Sequence, residues 1–543
     1  MRPPREGFSQ GGGRVRASGR SGDMQRGVVA AGHELTAKAA AAALRRGGNA
    51  VDAAVAGMLT SFVAEPLLTG LGAGGYMIVF DGRETVLLDF FVAAPGGRDD
   101  GSSLELDAVE VSFGDAVQVF HIGAASCGVN GVPAGVCAAA ARWGTIPLAE
   151  LAEDAASLAR RGVPLNPQQA YVARILEELL RSTPECAALW APGGRLLEVG
   201  QQLVNPDLAD SLERLGSDGA APFYRGDIAA AVSDWVGSHG GALALQDLRD
   251  YEALEREPVR IAYRGRDVLT NPPPSAGGAL LCYALALLDG ATDPELTSPL
   301  RPSGGAMVVR GRSGSPHARR PTLEQVVAVM EAAEAARTPQ FLAGLGTEGF
   351  FARLIASALH GRSSRLGATT HISVLDCDGV ACGVTTSNGE GSGVVVPGTG
   401  IHLNNVMGER DLSPLGFHSH ERGARIPSMM APTVLMRGDS VEAVLGSAGS
   451  SRIRSALLQT IIGLLDAGCD VREAVNAPRV HVEEGVLYHE PGVRVGARLR
   501  ARRKVVAFHD RNLFFGGVQA VQRRDGMLLG AGDPRRGGVA VVV

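Results

Sequence analysis

Hydrophobic and polar positions recur with two different periods along this chain. From Leu35 to Arg46, leucine and alanines recur at helical spacing and stop at Gly47-Gly48. Asn49 then caps a second helix that runs to about Val63, with Pro66 following. The period falls to two in Tyr76–Phe80 and Thr85–Phe90, on either side of Asp81-Gly82, which predicts a hairpin. Leu148–Arg161, Gln168–Arg181 and Thr322–Arg337 read as further helices. Between them, Thr292–Arg320 is rich in Pro, Gly, Ser and Arg and reads as a surface loop or insertion. Residues 1–26 lack any apolar run and read as a disordered tail.

Strands return after Thr369. Ile372 and Val374 alternate with polar neighbours, Asp378-Gly379 interrupts, and Val380, Cys382 and Val384 alternate again. A two-residue turn at Asp378-Gly379 pairs Cys377 with Val380, so counting back predicts Thr369 opposite Asn388 and Thr370 opposite Ser387. Either way, the hairpin returns the polar run Thr385-Thr386-Ser387-Asn388 to the neighbourhood of Thr369.

That neighbourhood has a specific chemistry. A chain cut between Ala368 and Thr369 begins with a residue that carries both a nucleophilic hydroxyl and a free α-amine. The amine titrates near pH ~7.7–8.0 in model compounds, so it can take the hydroxyl proton at neutral pH. A Thr-Thr pair alone proves nothing, because threonine is common in strands.

Composition excludes several alternatives. The 543 residues carry a net charge of −5 and no basic stripe interleaved with aromatics, which argues against nucleic acid as a partner. Hydrophobic residues at 45% and charged ones at 20% fit an ordinary soluble globular protein, and no apolar run is long enough to span a membrane. No leader is visible, which points to the cytoplasm, with secretion left open if the start codon is misassigned. The seven cysteines are odd in number and show no metal-ligand spacing, so they are expected to be buried free thiols in a reducing compartment. Gly70-Leu71-Gly72-Ala73-Gly74-Gly75 fits G-x-G-x-x-G, but it follows a helix and precedes a strand, the reverse of a dinucleotide site. Its glycines are expected to let the chain pass close to neighbouring backbone. There is no G-x-S-x-G nucleophile elbow.

Further segments follow in order: Gly400–Glu409, Arg425–Thr433 and Leu445–Ile453, with Gly47–Val55 and Gly70–Met77 upstream and Asp533-Pro534-Arg535 near the end. Together with Thr369-Thr370-His371 they resemble the γ-glutamyltransferase (γ-glutamyl transpeptidase) family over roughly residues 27 to 543. The resemblance implies an α+β fold, the four-layer αββα sandwich of N-terminal nucleophile hydrolases. Its precursor cleaves itself between Ala368 and Thr369, and residues 27–368 and 369–543 remain associated as large and small chains in one intertwined domain. It implies no cofactor and no metal. The substrate is a small-molecule amide, γ-glutamyl amides such as glutathione above all, and the acyl-enzyme passes to water or to an amine acceptor.

The resemblance also assigns roles. Thr369 is the nucleophile, Ser387 matches a threonine that hydrogen-bonds its amine, and the backbone N–H groups of Gly449 and Ser450 form the oxyanion hole. Most relatives carry two glycines there. The donor pocket falls on Phe91, Asn388, Glu409, Ser428 and Met429, and here the chain departs from the family. Phe91 stands where an arginine grips the donor α-carboxylate, Ser428-Met429 replaces two serines, and Glu409 is one methylene longer than the usual aspartate that binds the ammonium. Losing a bidentate guanidinium removes the strongest carboxylate clamp available. Two other readings therefore stay open: a cephalosporin-acylase-like enzyme for a different acyl group, and a non-catalytic member used for binding.

Overall fold

The computed structural model describes residues 25–96, 103–112, 117–290, 308–309, 320–337, 341, 345, 350, 354, 369–410, 412–413 and 416–543. Ala368, most of the N-terminal tail and most of the Thr292–Arg320 stretch lie outside the described residues.

Two seven-stranded sheets form the centre. The first runs, edge to edge, Val539–Val542, Gly27–Ala31, Thr370–Asp376, Ala381–Ser387, Gly74–Phe80, Thr85–Phe90 and Leu254–Arg256. The second runs Val308–Val309, Val259–Tyr263, Arg266–Thr270, Thr433–Arg437, Ser440–Ala448, Gly517–Arg524 and Met527–Ala531. All pairings are antiparallel except that of Val308–Val309. Helices Glu34–Arg45 and Ala50–Ala64 cover the outer face of the first sheet; Ala276–Leu288 and Arg452–Leu465 cover the second. This is the αββα sandwich.

Alternation decides which side chains meet which layer. Ile372 and Val374 face outward and join the apolar cluster built on helix Ala50–Ala64. His371 and Ser373 face inward, between the sheets. There, a Cβ at Gly446 would stand 2.2 Å from the His371 ring, so glycine is what lets the two sheets approach. Helix Ala50–Ala64 is buried on every side and is started by a capping box between Asn49 and Asp52.

The Asp378-Gly379 hairpin forms, but its register differs by one residue from that expected. Leu375 pairs with Ala381 and Thr370 with Thr386, and the Asp376 N–H donates to the Val380 carbonyl at 3.0 Å. The loop is Cys377-Asp378-Gly379, with Gly379 at φ +91°, a three-residue connection. The cause is Asp376, whose buried carboxylate accepts the Val380 N–H at 2.9 Å and the Ala50 N–H at 3.0 Å, tying the turn to the start of helix Ala50–Ala64. Thr369 therefore extends the strand opposite Ser387 rather than Asn388.

Other expectations need smaller corrections. The helix predicted over Gln168–Arg181 is two, Pro167–Ile175 and Glu177–Leu180, broken at Leu176. Cys127, Cys186, Cys282 and Cys382 are buried free thiols, whereas Cys137 and Cys469 are half-buried and Cys377 is exposed at its turn. The glycine-rich run passes close to backbone as expected: a Cβ at Gly72 would lie 2.3 Å from the His402 carbonyl oxygen, and one at Gly74 would lie 2.5 Å from the Val92 nitrogen. No helix among the described residues is long and apolar enough to cross a membrane.

Candidate active site

Every strand end that matters meets at one mouth of the sandwich. Strand Thr370–Asp376 begins there, Ala381–Ser387 and Ser440–Ala448 end there, and Phe91 follows the end of Thr85–Phe90. Thr369 is buried, and its hydroxyl donates to Ser387 Oγ at 3.4 Å. Ser387 Oγ in turn accepts the Gly389 N–H at 3.1 Å, which fixes the serine oxygen in place.

Thr370 points the opposite way. Its hydroxyl donates to Glu65 Oε2 at 2.7 Å, while Thr36 donates to Glu65 Oε1 at 2.8 Å. Two strand positions further in, His371 Nδ1 lies 2.7 Å from Thr385 Oγ1 and Nε2 lies 2.9 Å from Ser373 Oγ. Ser373 spends its own proton on the Gln519 carbonyl, 3.0 Å away, so its oxygen accepts Nε2–H and Nδ1 accepts from Thr385. Burial pushes the His371 imidazole down to about 3, so it stays neutral and acts as a spacer beneath Thr369.

Strand Ser440–Ala448 packs across Thr370–Asp376 and delivers Gly449 and Ser450 to the same mouth. Gly449 has φ +117°, which requires glycine, and Ser450 has φ +48°, in the left-handed region that serine can occupy at modest cost. Their carbonyls accept the Arg452 and Ile453 N–H groups at 3.0 Å, starting helix Arg452–Leu465. The two N–H groups themselves have no partner among the described residues. Free donors at a strand end, backed by the positive end of a helix dipole, can hold a developing oxyanion.

On one side of Thr369 lies an apolar wall. Phe91 is buried, stacks on Tyr76 at a centroid distance of 5.4 Å, and shares a cluster with Met407, Leu412 and Met429. Its carbonyl accepts the Tyr251 hydroxyl at 2.7 Å, and its N–H donates to Asp89. Asp89 is matched by Arg256 at 2.7 Å and Arg425 at 3.3 Å, so the nearby guanidinium groups already have a carboxylate. Ser428 turns inward: its hydroxyl accepts the Met430 N–H at 2.9 Å, and its carbonyl accepts the Ala276 N–H at 2.8 Å. Half-buried Glu409 faces the loop after Ser387, where a Cβ at Gly389 would meet its Oε1 at 2.7 Å. Asn388 sits behind that loop, donating to the His402 carbonyl at 3.1 Å. Among the described residues no group of three or more His, Cys, Asp or Glu side chains is placed to hold a metal.

Of the residues expected from sequence, the structure thus gathers Thr369 and Ser387 as a contact, with Gly449 and Ser450 at the same mouth. Phe91, Met429 and Glu409 lie on one flank; the Ser428 hydroxyl is spent on backbone, while Asn388 gives its Nδ2 to backbone and leaves its buried Oδ1 without a partner among the described residues. Glu65 and Arg536 were not singled out. Glu65 carried only the signal of a helix end before Pro66, and Arg536 none.

The gamma-glutamyltranspeptidase family model matches residues 36–543. The chain belongs to that family. It is 33% identical over 536 residues to the acylase ACY 1 proenzyme of Pseudomonas sp. (strain SE83), covering 95% of this chain and 94% of the relative. To the glutathione hydrolase proenzyme of Bacillus subtilis (strain 168) it is 28% identical, over 95% and 91% of the two chains. Among solved structures, the cephalosporin acylase from Bacillus halodurans superposes with a TM-score of 0.78 at 25% identity, covering 95% of this chain and 96% of that one. As a gamma-glutamyltranspeptidase family member, the chain is an enzyme with the N-terminal nucleophile hydrolase fold.

Proposed function

We propose that the protein is a self-processing threonine-nucleophile amidase of the γ-glutamyl hydrolase and transpeptidase kind. Thr369 first attacks the Ala368 carbonyl; the peptide shifts to an ester, and water frees the Thr369 α-amine. In the mature enzyme Thr369 Oγ attacks the substrate amide, the α-amine relays the proton to the leaving nitrogen, and the acyl group passes to water or an amine. Ser387 orients the nucleophile's polar groups, and the Gly449 and Ser450 N–H groups receive the oxyanion. The observation that carries this reading is the Thr369–Ser387 contact at the mouth where the Gly449 and Ser450 N–H groups are free.

The intact mass of the purified protein tests it. Two species, the smaller starting at Thr369, together with cleavage of an acyl anilide, are expected; one full-length mass with no turnover would favour a binding role.

A second reading is favoured by Phe91 and Met429. A donor pocket that keeps Glu409 but lacks the guanidinium suits an acyl group with an ammonium and no α-carboxylate, because an uncompensated carboxylate there would be costly. This supports a reading nearer the acylases named among its relatives. Comparing γ-glutamyl with 4-aminobutyryl anilides decides between the two, since they differ only by that carboxylate.

A further inference from the structure

Away from Thr369, the first turn of helix Arg452–Leu465 sends a basic side chain into the protein interior. Arg454 is 6% exposed and sits where helices Ala276–Leu288, Leu323–Ala336 and Arg452–Leu465 meet. Its Nε donates to the Ser451 carbonyl at 3.3 Å. Its Nη1 is sealed from solvent with no hydrogen-bond partner among the described residues.

The charges around Arg454 leave it short of a counter-ion. They are Glu334, Arg337, Glu483 and Arg452, so with Arg454 itself three cations face two acids. Both acids are engaged. Glu483 takes Arg452 at 2.7 Å and the Ser451 hydroxyl at 3.2 Å, and Glu334 Oε1 accepts the Glu484 N–H at 2.9 Å. Burial lifts the Glu334 carboxyl above its ordinary range, which weakens it as a counter-ion, and pushes the Arg454 guanidinium down to about 10. His481 adds no charge, because burial holds its ring at about 4. A buried guanidinium so placed is costly unless something negative joins it.

Arg454 also forms one wall of a cavity of about 10 Å³, whose other walls include Leu280, Ala284, Met330, Ala333 and Leu458. The second polar residue of the lining, Ser455, shares its hydroxyl with His481 Nδ1 at 2.9 Å. The space suits one water-sized body and excludes carboxylates, sulfate and phosphate. A buried water needs two to four polar partners, and these walls offer one free donor. A monatomic anion needs no directed hydrogen bonds; it gains from the excess positive charge and tolerates apolar contact. We infer that this cavity is a site for a monatomic anion, chloride in ordinary buffers, held by Arg454. Through Arg454 and the Ser451 carbonyl, the anion braces the loop that bears Gly449 and Ser450. The inference is independent of the amidase reading above.

Thermal unfolding of the purified protein tests it, with sodium chloride replacing sodium gluconate at constant ionic strength. Gluconate is too large for the cavity. The midpoint should rise saturably, by about 2 °C at 100 times the half-saturating chloride concentration. Bromide should act in the same way, and crystals soaked in bromide should show an anomalous peak in contact with Arg454 Nη1. Arg454→Met should abolish the chloride response. Because that variant can fail to fold, Ala284→Leu provides a second arm: it keeps the guanidinium, fills the cavity and should abolish the same response. Midpoints that are equal in chloride and gluconate overturn the inference. So does a bromide-soaked crystal without a peak at Arg454, since water would then fill the cavity, or an Ala284→Leu variant that keeps the full chloride response.

Discussion

The two flanks of Thr369 solve opposite problems with the same scaffold. Toward Phe91 the wall is apolar, its one nearby carboxylate, Asp89, is saturated by two arginines, and Glu409 supplies the negative charge at the rim. Toward Arg536 the wall holds a half-buried guanidinium whose Nε has no hydrogen-bond partner among the described residues, beside acids that are engaged elsewhere. The difference teaches that one scaffold carries an apolar surface on one flank and a network of buried ion pairs on the other. Both sides depend on one shared centre, the contact of His371 with Gly446 that holds the sheets together under Thr369.

The largest expected effect removes the centre and leaves nothing to compare. Thr369→Ala should give a single uncleaved chain on a denaturing gel and lower amidase activity by about 10⁴-fold or more; two bands from this variant would sink the nucleophile assignment. Ser387→Ala leaves the hydroxyl nucleophile but frees its orientation, and should lower kcat about 100-fold with little change in KM, the scale of a positioned proton-transfer group. A rise confined to KM would move Ser387 into the donor pocket. Gly446→Ala should weaken both flanks together, because its Cβ would stand 2.2 Å from His371 Cε1; a loss of about 1–3 kcal/mol in denaturant unfolding is expected. An unchanged midpoint would mean that the sheets have slack there.

A smaller effect sharpens the acyl side alone. Phe91→Arg, combined with Met429→Ser to open space beside the Tyr76 stack, should raise the γ-glutamyl over 4-aminobutyryl preference by about tenfold or more. No shift at any donor concentration would mean that the carboxylate is bound elsewhere. The smallest effect concerns pH and touches neither flank. Burial holds His371 at about 3 and His402 and His481 at about 4, below their unfolded value near ~6.5. The folded state thus binds fewer protons than the unfolded one, so their contribution is intact above pH ~6.5 and falls as pH drops toward 4, by up to about 1.4 kcal/mol per unit for each histidine. Midpoints of thermal unfolding measured between pH 7 and 4 check this; a flat profile would mean that these rings meet water.

Much of the centre was legible in the sequence, because it is local. Asn49 at a helix start, Asp378-Gly379 at a turn and a threonine at a strand mouth act through neighbours a few positions away. The one-residue error in register shows the limit. The turn dipeptide permits either loop, and the choice fell to Asp376, which binds the N–H of Ala50, a residue distant in sequence and adjacent in space. The buried apolar helix Ala276–Leu288 escaped for a related reason: hydrophobic on all sides, it has no polar stripe to reveal a period.

By itself, the sequence determined the kinds of element, which depend on residue identity and short-range spacing, and, through its ordered motifs, the family; the roles proposed for Thr369 and Phe91 rest on that resemblance. Only the tertiary structure decided that Ser387 faces Thr369, that Gly446 makes room for His371, and that the Arg536 guanidinium lies against Gly449. Those contacts join segments far apart along the chain. They exist because two sheets, each with one face toward the other, bury their inner residues together, and no local pattern encodes which strand end will meet which.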